Sequence, residues 1–149
     1  MIRLSKLADY GIVLTTHLAA SAPGKIHAAK DLARATAIPL PTVSKVMKAL
    51  AHASIVTSHR GADGGFTLAR PATDITVADL IAALDGPIAM TDCLSDDHDT
   101  CGIVSSCGVR GHWDRISRAI HDALDGLTVA EMAKPSFPWE KAANRQVVS

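Results

Sequence analysis

Aromatic side chains are scarce: two Phe, two Trp and one Tyr make up 3% of the 149 residues. Ala, Leu, Val and Ile must therefore fill the interior, which suits small, closely packed helices. Cysteine is scarcer still, with three residues, all between positions 93 and 107. An odd count in a reducing setting argues against a disulfide framework, and the chain is long enough to build a core without such staples. No apolar run approaches the roughly 20 residues of a membrane-spanning helix, and no secretory pattern opens the sequence. The expected location is cytoplasmic, with no membrane partner. No Ser–His–Asp arrangement, phosphate loop or catalytic carboxylate pair stands out, so no enzyme activity and no small-molecule substrate are expected.

Net charge is also absent, but only in sum. Residues 1–70 carry nine Lys/Arg against three acids, and residues 71–149 carry six against twelve, giving +6 and −6. A basic half of this size attracts a phosphate backbone, and an acidic half is held away from one. Uneven charge is also an ordinary property of solvated surfaces, so the motifs must decide.

Leu7, Tyr10, Gly11, Leu14 and Leu18 recur at helical spacing over residues 6–20. The turn Ala22-Pro23-Gly24-Lys25 separates this helix from a short one over residues 28–35. A third helix is predicted over residues 41–52, with Pro41 at its first position. Val43, Val46, Met47 and Leu50 form its buried stripe, which leaves Thr42, Ser44, Lys45 and Lys48 largely on the outer face. A short helix, a tight turn and a second helix with a small-polar and basic face make a helix-turn-helix. Two β-prone runs, residues 55–60 and 66–70, flank Gly61-Ala62-Asp63-Gly64-Gly65 and predict a hairpin. A hairpin in that place is a wing, with Arg60 at its tip, where Arg favours a minor groove or its phosphates. The fold class is thus mainly α with a small β-hairpin wing.

Thr76-Val77-Ala78-Asp79 reads as a capping box opening a helix that buries Val77, Leu80, Ile81 and Leu84 and ends near Gly86-Pro87. A polar cysteine-rich loop follows, with the spacing C-x7-C-x5-C. A long helix over residues 109–125 then places Val109, Trp113, Ile116, Ile120, Leu124 and Leu127 near heptad spacing. Few intrachain partners remain for that stripe, so it is expected to pair with its counterpart in a homodimer; packing on the first helix is the alternative. Thr128-x-x-Glu131 opens a last short helix, stopped by Pro135. The expected organisation is a winged helix-turn-helix over residues 1–86, a cysteine loop over 87–108, a dimerisation helix and terminal helix over 109–134, and a loosely ordered tail over 135–149.

Thiolates are soft ligands that suit iron–sulfur clusters, zinc and Cu(I). Structural zinc sites favour tight C-x2-C pairs, whereas spacings of seven and five suit a bulkier cluster. Free or redox-switching cysteines without metal are the remaining reading.

Arg3-Leu4-Ser5-Lys6-Leu7-Ala8-Asp9-Tyr10, His59-Arg60-Gly61-x-x-Gly64-Gly65-Phe66 and the three-cysteine loop ending in Trp113 resemble the Rrf-type winged-helix regulators, the family of the IscR-type and NsrR-type iron–sulfur regulators. Leu40-Pro41-Thr42-Val43-Ser44-Lys45, Ser58-His59-Arg60-Gly61, Gly86-Pro87-Ile88-Ala89 and Cys107-Gly-Val-Arg-Gly-His-Trp113 are most similar to the Suf-system iron–sulfur assembly regulators. The resemblance spans about residues 1–134. It implies a dimeric DNA-binding repressor or activator carrying a [2Fe–2S] or [4Fe–4S] cluster on Cys93, Cys101 and Cys107. A cluster normally takes four ligands. The His that IscR-type members place three residues after the last cysteine is here Arg110, so the fourth ligand differs. Asp9 matches the position of an Asp ligand in NsrR-type members and could come from the partner subunit; His112 and His98 are the other candidates.

The expected DNA contacts are Thr42, Ser44, Lys45 and Lys48 in the major groove and Arg60 at the minor groove. Arg3, Lys6 and Lys30 are expected on phosphates. Two modules would read a pseudo-palindromic site in double-stranded DNA.

Overall fold

A computed structural model describes residues 3–94 and 101–134. Helix α1 (Lys6–Ala20) starts where Ser5 accepts a hydrogen bond from the Ala8 N–H at 3.1 Å. The Ser5 hydroxyl also bonds the Asp85 carboxylate, tying the start of α1 to the end of α4 (Val77–Asp85). Helix α2 (Ala29–Thr36) stops at Ala37, whose φ of 58° turns the chain towards α3 (Leu40–His52). α3 begins one residue earlier than the periodicity predicts, so Pro41 occupies the second helical position. Its missing N–H costs nothing there either, because the first four N–H groups of a helix have no intrahelical partner.

β1 (Val56–His59) and β2 (Gly65–Leu68) pair antiparallel in the register Val56↔Leu68 to His59↔Gly65. A 3-10 turn (Ala72–Asp74) leads to α4, which opens with the full Thr76/Asp79 capping box. A second 3-10 turn (Asp92–Leu94) precedes α5 (Arg110–Asp125), and α6 (Val129–Met132) ends the described chain with a Thr128/Glu131 capping box.

The main core gathers Leu14 and Leu18 of α1, Leu32 of α2, and Val43, Val46, Met47 and Leu50 of α3 around Ile55, Val56, Ile75, Leu80 and Val129. Each such side chain contributes about 1.5–3 kcal/mol when fully removed from water. Val129 enters this core because the chain doubles back: the Val77 N–H donates to the Leu127 carbonyl, and the Val129 N–H to the Ile75 carbonyl. A second cluster of Ala8, Val77 and Ile81 is covered by Ile12, Leu84, Ile88 and Leu124. Leu84 is half-buried, not buried as its spacing predicts. It lies over Gly11 of α1, where a Cβ would run into its methyl group. Among the described residues no helix is long and apolar enough to cross a membrane.

Candidate nucleic-acid interface and cysteine segment

The inner stripe of α3 fixes what its outer face presents. With Val43, Val46, Met47 and Leu50 all buried, the 100° step of the helix turns Ser44, Lys45 and Lys48 to solvent, where all three are exposed. Thr42 sits on the flank and is half-buried. His52 shares this outer face and borders one shallow depression with Lys45 and Lys48. Sequence reading passed over it, although its spacing from Lys45 and Lys48, i+7 and i+4, carries the signal.

The wing is held from behind. His27 and Phe66 exchange two backbone hydrogen bonds, of 3.0 and 2.9 Å, so the α1–α2 connection adds a one-residue third strand to the hairpin. Gly65 makes that approach possible, since a Cβ there would overlap the His27 carbonyl and come within 2.8 Å of the Ala28 nitrogen. Gly61 turns the tip with φ 108°, a conformation that favours glycine. Arg60 immediately before it is exposed, and His59 bonds Thr67 across the hairpin at 2.9 Å. The His27 ring is 6% exposed and meets His17 edge-on at 5.6 Å, and its Nε2 has no hydrogen-bond partner among the described residues. Burial first, then the positive charges of Lys25 and His17, lower its pKa below 6.5, while Asp31 opposes them.

Arg3, Lys6 and Lys30 are all exposed. Arg3 and Lys6 border a depression at the start of α1 together with Asp9 and Asp85. They therefore sit beside carboxylates, whereas Lys45 and Lys48 share their depression with none.

The cysteine segment differs from a loose polar loop at one end. Cys93 is only 4% exposed and its sulfur lies 3.2 Å from the Thr91 hydroxyl. Nearby, the Met90 N–H donates to the Ser117 Oγ of α5 at 3.2 Å. Cys101 and Cys107 are half-buried among tight turns that leave Ile103 64% exposed. All three thiols are free. As donors they suit an iron–sulfur cluster, but among the described residues no three His, Cys, Asp or Glu side chains are gathered as a metal site. His112 is exposed in the first turn of α5, and His98 lies outside the described residues. Asp9 is exposed one residue from Ala8, which packs near Leu124. Ser117 and Leu124 stand seven residues apart on α5, roughly 10 Å along its axis.

α5 has a marked apolar stripe, yet Ser117 is its one buried residue. Leu124 packs on the second cluster, so intrachain packing holds in part, while Ile116 is 42% exposed and Trp113 and Ile120 are half-buried.

Residues 4–135 match the model of a family described as Rrf2, iron-dependent transcriptional regulator. The chain belongs to the Rrf2 family. It is 31% identical over 138 residues to a Mycobacterium tuberculosis protein named as an HTH-type transcriptional regulator, Rv1287, covering 92% of this chain and 84% of that one. Its fold is similar to that of CymR, the global cysteine regulator of Bacillus subtilis, with TM-score 0.72, 26% identity, and coverage of 92% and 100%. It also resembles T. potens IscR in fold, with TM-score 0.63 at 24% identity and coverage of 99% and 93%. The Rrf2 chain is accordingly a winged-helix, DNA-binding transcriptional regulator and not an enzyme.

Proposed function

We propose that this Rrf2 protein senses an iron–sulfur cluster and, in response, represses an operon for iron–sulfur cluster assembly of the Suf type. The observation that carries this reading is the confinement of all three cysteines to the segment leading into α5, with Cys93 anchored beside the Met90–Ser117 bond. Cys93, Cys101 and Cys107 would hold a [2Fe–2S] or [4Fe–4S] cluster, and Asp9 of the second protomer would serve as fourth ligand, ahead of His112. A bound cluster supplies a labile, redox-active group whose presence tracks cluster supply. Among the described residues no three such side chains are gathered as a metal site, so in this reading cluster binding draws residues 101–107 and Cys93 together. That movement acts directly on the N-terminal end of α5. DNA affinity then depends on the cluster only through its different affinity for the two arrangements.

The exposed stripe of α5 pairs two protomers in this reading. It sets the spacing at which two α3 helices, with Thr42, Ser44, Lys45 and Lys48, enter successive major grooves of a pseudo-palindromic operator. Arg60 reaches the minor groove, and Arg3, Lys6 and Lys30 meet phosphates.

Anaerobic purification followed by absorption spectroscopy with iron and acid-labile sulfide analysis tests the proposal. A brown protein with matched iron and sulfide is expected, and the stoichiometry assigns the cluster type. A protein that stays colourless and free of both after anaerobic reconstitution rejects it. The three free thiols, with no group of metal-ligating side chains gathered among the described residues, favour one second reading, a cluster-free thiol redox regulator. In that case mass spectrometry of the oxidised protein would show a disulfide between two of the three cysteines, and operator affinity would follow it. Zinc content, measured on the same sample, addresses a zinc-dependent regulator.

A further inference from the structure

The wing has a second edge, and the α1–α2 connection covers only one residue of it. Phe66 directs both its backbone groups to His27. On the other side, the Ala69 N–H donates to the Ile55 carbonyl. Strand backbone groups alternate sides with period two. The N–H and C=O of Leu68 therefore point away from β1, as those of Phe66 do. No third strand meets them, because the chain turns away at Ala22–Lys25, where the Lys25 N–H bonds the Ala22 carbonyl at 3.1 Å. Among the described residues these two Leu68 groups have no partner.

They open into the cleft between the end of α1 and the base of the wing, about 510 Å³ in volume, within the range of about 300–1,000 Å³ typical of small-molecule sites. Leu18, Ala19, Leu68, Pro71 and Ala72 give it an apolar wall. Its charged lining residues are Lys25 and Arg70, and no carboxylate lines it. Arg70 is partly engaged, donating to the Asp74 carbonyl at 3.0 Å and to the Asp79 carboxylate at 3.4 Å. Lys25 is exposed and makes no ion pair among the described residues.

We propose that this cleft binds a small amphipathic carboxylate of the N-acyl amino acid class, aligned by the free backbone edge of Leu68. The ligand's N–H donates to the Leu68 carbonyl and its carboxylate accepts the Leu68 N–H, as one further residue of an antiparallel strand would. An aliphatic side chain fills the apolar wall, and Lys25 supplies the counter-charge. Each feature selects against another class of ligand. The apolar wall disfavours a free phosphate, the positive rim disfavours a cation, and the short edge has room for one residue but not for an added strand. The site lies far along the chain from the cysteines and gives the regulator a second input independent of them. It also bears on the wing, since a ligand on Leu68 fixes β2 against the α1–α2 turn.

The test is titration of the full-length, uniformly ¹⁵N-labelled protein with N-acetyl-L-leucine, followed by amide chemical shifts. The expected result is saturable shifts centred on Leu68, Lys25 and Ala19. Affinity should fall at least tenfold for the uncharged amide N-acetyl-L-leucinamide and for the K25E variant. K25E changes an exposed side chain, and its unperturbed spectrum elsewhere will show that it folds. Absence of saturable shifts at Leu68 with ligand at tens of millimolar overturns the proposal. So does binding that K25E leaves unchanged, or shifts centred on Lys45 and Lys48 instead.

Discussion

Gly65→Ala isolates the contact that seats the wing. The added methyl would meet the His27 carbonyl and the Ala28 nitrogen. These are backbone atoms of a connection that cannot swing aside as a flexible side chain can. Overpacking of this kind costs about 1–3 kcal/mol. Relief by moving β2 away would stretch the two His27–Phe66 hydrogen bonds, now 3.0 and 2.9 Å, each contributing about 0.5–1.5 kcal/mol. The expected loss in unfolding free energy is about 2–4 kcal/mol. Urea denaturation followed by circular dichroism measures it. Two controls separate sterics from backbone conformation. Gly24→Ala has open space around it but a φ of 76°, so it should cost only about 1–2 kcal/mol. Gly102→Ala has open space and no positive φ, and should change little. A Gly65→Ala protein as stable as the Gly102→Ala protein would refute the close approach and with it the account of how the wing is held.

His27 sets a pH dependence. The folded protein resists the proton that the unfolded chain accepts near pH 6.5. Its contribution is therefore complete above about that pH and is lost as pH falls towards the lowered folded pKa, at no more than about 1.4 kcal/mol per pH unit. Urea midpoints of wild type and His27→Phe should diverge in that window, and parallel profiles would contradict the assignment. Lys6→Ala and Lys30→Ala, at the proposed phosphate contacts, should each lower the salt slope of operator binding by about 1.8 in a dimer, from about 0.9 per lost phosphate contact in each half. Fluorescence anisotropy against salt reads this, and an unchanged slope removes that lysine from the interface. Ile116→Glu should leave helix content intact and convert a dimer to monomer in sedimentation, whereas a wild-type profile would place the interface elsewhere. Ser117→Ala leaves the Met90 N–H without its partner, at a cost of about 1–3 kcal/mol. It should speed alkylation of Cys93, and an unaltered rate would show that this bond does not protect the thiol.

Local rules made much of this legible. Val43, Val46, Met47 and Leu50 recur at the helical period, and all four are buried. Thr76-x-x-Asp79 and Thr128-x-x-Glu131 are reciprocal caps whose partners lie three residues apart, and both form. What escaped depends on residues far apart in the chain. Val129 belongs to the main core only because residues 127–129 pair with 75–77, which no periodicity announces. His27 looks like a loop histidine until Phe66 is placed beside it. Cys93 stands in a polar run, yet it is buried because the chain just before it bonds to Ser117, 24 residues away from Cys93 in sequence. The cysteines pointed to a metal site by type and spacing; spacing alone does not say which thiols a single fold brings together.

In the proposed reading, α5 is the link between the cysteines and the DNA-binding face. Sixteen residues make a rod of roughly 24 Å. Midway along it, Ser117 holds the Met90 N–H beside the Cys93 segment. At its far end Leu124 packs with Ala8, Val77 and Ile81, and Asp125 accepts a hydrogen bond from the Thr76 hydroxyl at 3.0 Å. Thr76 is the N-cap of α4, and α4 packs on both α1 and α3. Its other end meets Ser5, the N-cap of α1, through Asp85. A tilt of α5 is thus felt at both ends of α4. α4 opens with a complete Thr76/Asp79 capping box and buries Leu80 fully. In the proposed reading, a shift of the cysteine segment is passed through α5 and α4 to α3 with none of these elements unfolding.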